Sequence, residues 1–221
     1  MSADIIQAFL AMQKQPVMDL IQNKLQGGEN PLDILIACQK GMEEVGKRFE
    51  TGEFFLSELI YAAEVFKGVT ALLGPKLSGT TGGLKPGSAV VFGTPQGDIH
   101  DLGKNIVITV MQASGFMVYD LGVDVPPQKF IQTLQETGAS LLAMSALITT
   151  AFKPMKEVVN LLKTHEIRNQ VFVLIGGAVT TDLVRREVGA DAQTLDPYVG
   201  IRLCKNFLEK NGSKRELQKI P

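Results

Sequence analysis

His100 stands in the stretch Thr94-Pro95-Gln96-Gly97-Asp98-Ile99-His100-Asp101-Leu102-Gly103, and it is one of only two histidines in the chain. An imidazole coordinates a metal through one ring nitrogen, while the other needs a partner that fixes the tautomer and tunes basicity. Asp98 can be that partner. Gly103 leaves space for a bulky group beside the segment that follows. The same residues also have a plainer use: Asp98 caps a helix, Asp101 complements its dipole, and His100 is a loop residue. The other histidine, His165, lies near the end of a predicted helix, where the dipole favours a solvated imidazole. One imidazole is too few for a bare zinc or iron site, which takes three or four protein ligands. A cofactor that brings its own equatorial ligands needs just one.

Two further clusters have the same unusual make-up. Met144-Ser145-Ala146-Leu147-Ile148-Thr149-Thr150 places the hydroxyls of Ser145, Thr149 and Thr150 in an apolar run, although β-branched threonines also suit a strand end. Ile175-Gly176-Gly177-Ala178-Val179-Thr180-Thr181 offers Gly176 and Gly177, where a backbone can approach a ligand closely or simply turn tightly.

All three clusters follow short apolar runs that read as strands: Ala89–Thr94, Phe116–Leu121, Leu141–Ser145, Val171–Ile175 and a weak one near Ala192–Leu195. Helical patterns fill the gaps at Asp101–Ser114, Pro127–Thr137, Phe152–Thr164, Thr181–Val188 and Tyr198–Lys210. This alternation predicts a five-stranded parallel sheet of flavodoxin or Rossmann type, covered on both faces. The three clusters then share its carboxyl edge, where such sheets bind ligands at a switch in strand order. The last residues, Asn211–Pro221, are polar and read as frayed.

The first third of the chain has a helical period throughout. Ser2 can cap a first helix bearing Ile5, Ile6, Phe9 and Leu10 on one face; Pro16 opens a second and Pro31 a third; a fourth runs from about Leu56 to Leu73. Four amphipathic helices imply an all-α four-helix bundle over 1–75. Residues 74–88 are rich in Gly, Ser, Thr and Pro and read as a linker and hinge, with 76–88 separating the bundle from an α/β domain over 89–212. With 22 basic and 23 acidic residues spread along the chain, no basic stripe for nucleic acid emerges. The two cysteines, Cys38 and Cys204, have no metal-ligand spacing and suit a reducing cytoplasm. No signal peptide and no membrane-spanning stretch is expected.

D-x-H-x-x-G at Asp98–Gly103, then S-x-L at Ser145–Leu147, then Gly176-Gly177, resembles the cobalamin-binding domain of methionine synthase and its relatives. Gly41–Glu50, followed by Gly52–Leu59 and Ala62–Glu64, looks like the cap bundle that precedes that domain. The two-part layout is most similar to free-standing corrinoid proteins of methyltransferase systems in anaerobic bacteria and archaea. The resemblance implies a cobalamin or related corrinoid, with His100 as the lower axial cobalt ligand and Asp98 hydrogen-bonded to it. Gly97, Ile99 and Asp101 belong to the same cofactor loop. Gly103, Ser145, Leu147, Thr149, Gly176 and Gly177 would line the slot for the displaced nucleotide tail. Phe54, Phe55 and Leu56 would shield the upper, methyl-bearing face, unless they are plain bundle core. Where methionine synthase has a serine that completes a relay with the His–Asp pair, this chain has Ala151, so only the pair is expected.

The resemblance further implies a one-carbon carrier rather than a complete enzyme. Its partners would be a substrate-specific methyltransferase, an acceptor methyltransferase (serving tetrahydrofolate or a thiol) and a reductive activator. Two other classes remain open at this point: a cobalamin-responsive regulator, and a flavodoxin-like or receiver-like signalling domain without a corrinoid.

Overall fold

The computed structural model describes residues 2–77 and 88–217, with side chains at 3–73 and 88–210. The expected linker therefore falls largely on 78–87, outside the described residues.

The helical part comprises α1 (Ser2–Leu10), α2 (Lys14–Gln26), α3 (Pro31–Glu50) and α4 (Leu56–Leu77). Its core contains Ile5, Phe9, Ile21, Ile34, Met42, Val45, Leu59, Phe66, Val69 and Leu73, all buried. Phe9 and Phe66 meet as a tilted aromatic pair with centroids 6.5 Å apart. Asn30 caps α3 by accepting from Leu32 N–H at 2.9 Å, with Pro31 in the first turn, where its missing N–H costs nothing.

Three boundaries differ from expectation. α1 begins at Ser2 itself. α2 starts at Lys14, so Pro16 lies inside its first turn rather than opening it. The reason is remote in sequence: Lys14 N–H donates to the Tyr61 hydroxyl of α4 at 3.0 Å, which caps the helix early. α4 continues through Gly74 and Pro75 to Leu77, because buried Val69 and Leu73 commit its last turns to the core.

The second part alternates strand and helix: β1 (Ala89–Gly93), α5 (Leu102–Ala113), β2 (Met117–Asp120), α6 (Pro127–Thr137), β3 (Leu141–Ser145), α7 (Phe152–Thr164), β4 (Phe172–Gly176), α8 (Asp182–Val188), β5 (Ala192–Gln193) and α9 (Pro197–Leu217). All strand pairings are parallel, in the order β2-β1-β3-β4-β5. Pairing sets Gly93 beside Met144 and Ser145 beside Gly176, so the loops after β1, β3 and β4 leave at one level. The sheet interior (Val90, Val91, Leu142, Met144, Val173, Ile175) is buried, as a sheet covered on both faces requires. Two ends moved for physical reasons. Asp101 stays outside α5 and its carbonyl accepts from Asn105 N–H at 2.8 Å, as a capping residue does. Thr181 likewise caps α8 from outside, its hydroxyl accepting from Val184 N–H at 3.3 Å. α9 runs to Leu217 instead of ending at Lys210.

Candidate functional site

Strand order reverses direction between β1 and β3, and the chain crosses there to opposite faces of the sheet. A crevice opens at such a point beyond the carboxyl ends. One side chain stands across it. Asp98 is 0% exposed, and both of its oxygens are used. Oδ1 accepts from His100 N–H at 3.0 Å and meets His100 Nδ1 at 2.7 Å. Oδ2 accepts from the N–H groups of Leu147 at 2.7 Å and Ile148 at 3.3 Å, on the loop after β3. Asp98 thus clamps the first and second clusters together, and it does not cap α5. Burial alone works against its charge, but the hydrogen bonds outweigh it; Leu147 N–H leads, followed by His100, and Asp98 stays below the ordinary carboxylate range.

The clamp determines what His100 can do. A carboxylate only accepts, so Nδ1 carries a proton, and the tautomer that Asp98 selects has its lone pair on Nε2. The side chain is 50% exposed, which leaves it open to a ligand. Thr94, fully buried, donates through its hydroxyl to His100 O at 3.1 Å and holds the loop from the strand side. His165 ends α7 as an exposed residue whose N–H donates to Leu161 O at 2.9 Å, so it is the solvated histidine anticipated. Among the described residues no group of three or more His, Cys, Asp or Glu could hold a bare metal ion.

The glycines divide sharply. A Cβ built on Gly103, at the start of α5, would meet nothing within 4 Å, and the backbone there needs no left-handed angle. Neither packing nor conformation explains this glycine. Gly176 and Gly177 are different. A Cβ on Gly176 would come within 2.9 Å of Thr194 O, and one on Gly177, at φ +104°, would land on the backbone of Ala146. Their missing side chains let the loops after β3, β4 and β5 pack on each other. Ala146 N–H donates to Gly176 O at 2.9 Å across that contact.

The carboxyl edge also carries exposed apolar side chains. Ile99, Leu102, Leu147, Leu183 and Leu195 are 42% to 75% exposed, and each sits in or beside a loop at the carboxyl edge. Leu183 and Leu195 did not stand out in the sequence, because a single leucine in a polar segment has no periodic signal. Ser145 lies at the end of β3, half-buried, while Thr149 and Thr150 are exposed. Ala151 is 0% exposed among Met155, Val158 and other core residues, so its position offers no hydroxyl toward the pair. In the helical part, Phe55 is 71% and Leu56 49% exposed, so they are not bundle core; Phe54 is half-buried, with the Arg48 guanidinium 5.4 Å from its ring centroid. An available axial nitrogen, an unexplained glycine and an apolar rim together fit a large flat group with its own equatorial ligands.

Known proteins agree with that fit. A family model described as a B12 binding domain matches residues 88–196, and a second B12 binding domain model matches residues 1–73. The chain is 35% identical over 206 residues to a dimethylamine corrinoid protein of Methanosarcina barkeri, covering 93% of this chain and 96% of that protein. The crystal structure of a cobalamin-binding protein from Desulfitobacterium hafniense DCB-2 is similar with a TM-score of 0.74 at 30% identity, over 93% of this chain and 98% of that one. The methanol:cobalamin methyltransferase complex MtaBC of Methanosarcina barkeri contains a chain similar with a TM-score of 0.75 at 26% identity, over 91% of this chain and 78% of that one.

Proposed function

The chain belongs to the corrinoid proteins built on two B12 binding domains, and from that premise we propose that it carries a methyl group on cobalt between two methyltransferases. Its cofactor is a cobalamin or related corrinoid. Bound cobalt supplies the chemistry: it accepts a methyl group from an activated donor and yields it to an acceptor.

The chain's own residues would hold and tune that group. His100 would hold the cobalt through Nε2, in place of the cofactor's own base. Asp98 keeps the proton on Nδ1 and so fixes both tautomer and ring orientation. Leu147 and Ile148 N–H groups saturate the second oxygen of Asp98, and with Ala151 in place of a hydroxyl the pair works without a side-chain relay. Gly97, Ile99, Asp101 and Gly103 form the loop and helix start along one side of the cofactor, and Ser145, Leu147 and Thr149 face its nucleotide tail. Gly176 and Gly177 shape that slot by packing. Phe54, Phe55 and Leu56 would shield the methyl-bearing face; Phe55 and Leu56 are apolar side chains that the helical part leaves in solvent.

The named relatives act in dimethylamine and methanol systems, which supports a small methylated amine or alcohol as the ultimate donor. A substrate-specific methyltransferase would load the carrier, a second one serving tetrahydrofolate or a thiol would unload it, and a reductive activator would restore cobalt after oxidation. Cytoplasmic residence fits the two free, buried thiols, Cys38 and Cys204, which burial pushes up to about 12 and keeps unreactive. No helix among the described residues is long and apolar enough to cross a membrane.

The observation that carries this reading is the buried Asp98 joining His100 to the β3 loop at the switch point. Reconstitution with hydroxocobalamin tests it. The wild-type protein should take up the corrinoid with a protein nitrogen on cobalt, and His100→Ala should retain corrinoid while losing that nitrogen and most methyl transfer. Failure of the wild-type protein to bind any corrinoid would overturn the proposal, and an unchanged spectrum in His100→Ala would remove His100 from it.

A further inference from the structure

The turn after β2, residues 120–125, is tied to the His100 loop more heavily than a connection needs. Val125 N–H donates to Thr94 O at 3.0 Å, and Gln96 N–H donates back to Val125 O at 2.9 Å. Asp124 then makes two bonds at the end of this ladder. Its N–H donates to Asp98 O at 2.9 Å, and its Oδ1 accepts from Gly97 N–H at 2.7 Å. It therefore grips the main chain of Gly97 and Asp98 just ahead of His100. Asp124 does this at φ +53°, in the left-handed region that few non-glycine residues enter and that aspartate and asparagine enter more readily than most.

The other end of the turn is anchored as firmly. Asp120 Oδ1 accepts from Gly122 N–H at 2.9 Å and from Lys104 Nζ at 2.7 Å. Lys104 is 2% exposed, and its ammonium also donates to Asn105 Oδ1 at 2.9 Å. An ammonium taken this far from water persists only with such partners. Lys104 lies in the first turn of α5, directly after Gly103. The turn is thus bonded to the chain both before and after His100.

Resting on the reading of His100 as the lower ligand, we propose that Asp124 is a positioning residue for that ligation. It acts through Gly97 and Asp98, holding the loop so that Nε2 already stands where an axial ligand must. A ligand arm ordered in advance loses less conformational freedom when it binds. Removing one charge-assisted bond from the brace should weaken His100 against a competing ligand by about tenfold.

Asp124→Gly and Asp124→Asn separate positioning from simple structural support. Glycine relieves the left-handed backbone but deletes the acceptor. Asparagine tolerates that backbone and keeps an oxygen in place. Each protein is loaded with cob(II)alamin, and isotopically labelled imidazole is titrated in while electron paramagnetic resonance follows the nitrogen splitting on cobalt. Asp124→Gly should unfold near the wild-type midpoint yet surrender the His100 signal at an imidazole concentration about tenfold lower. In the cofactor-free protein its Gly97 amide should exchange faster with solvent. Asp124→Asn should restore most of both. Unchanged competition in Asp124→Gly, or an equal loss in both variants, overturns the proposal. If wild-type protein and His100→Ala show the same splitting, the ligand assignment itself fails, which is a distinct result.

Discussion

Gly103, at the start of α5, and Gly177, in the loop after β4, have opposite surroundings. At Gly103 the absent side chain opens onto empty space beside His100, whereas at Gly177 it is already filled by the backbone of Ala146. The β4 glycines are spent on folding; the α5 glycine costs the fold a residue of good helix propensity and returns nothing within the domain. A residue that is suboptimal for folding and has no intramolecular explanation is what a binding position leaves in a fold, and the proposed function uses Gly103 in that way.

Substitutions can break or sharpen this contrast. Gly177→Ala should have the largest effect, about 3–5 kcal/mol of lost stability in the cofactor-free protein, from a forced left-handed backbone and a collision with a main chain that cannot yield. Urea unfolding measures it, and a loss below about 1 kcal/mol would mean that the β4 loop is not packed as described. Asp98→Ala should follow at about 2–4 kcal/mol, because His100 and the Leu147 and Ile148 N–H groups lose their acceptor together. Gly103→Ala should invert the pattern: stability unchanged or raised by up to about 1 kcal/mol, with corrinoid affinity down by about tenfold as the new methyl enters the cofactor's space. Equal corrinoid affinity by titration would erase the distinction between the two glycines. Ala151→Ser should destabilise by about 1–2 kcal/mol, since a hydroxyl introduced among Met155 and Val158 finds an apolar core. A gain of proton coupling in that variant would instead place position 151 within reach of the pair.

Acid adds a milder test on the same clamp. Asp98 is held below its ordinary value in the folded state, so its contribution is complete above the unfolded carboxylate range and is lost as pH falls through the folded value. The cofactor-free protein should therefore lose stability more steeply in acid than Asp98→Asn does. Parallel acid profiles would mean that Asp98 contributes no charge-dependent stability.

Much of this molecule was legible in its sequence, for a local reason. Hydrophobic period is written by near neighbours, so the change from helical stripes to short apolar runs located the bundle and the sheet, and strand ends placed the three clusters on one edge. His100 and Asp98 were legible because they share a single turn. Other features depend on partners far away in sequence. Tyr61 moving the start of α2, Leu147 completing Asp98, and Asp120 receiving buried Lys104 are each settled by which segments the sheet order and register set side by side. A chain's local pattern does not encode those meetings. It specified the imidazole, its carboxylate and the edge they occupy; only the tertiary structure decided that the carboxylate is a buried clamp, that Gly103 faces space while Gly177 faces backbone, and that a turn from β2 braces His100.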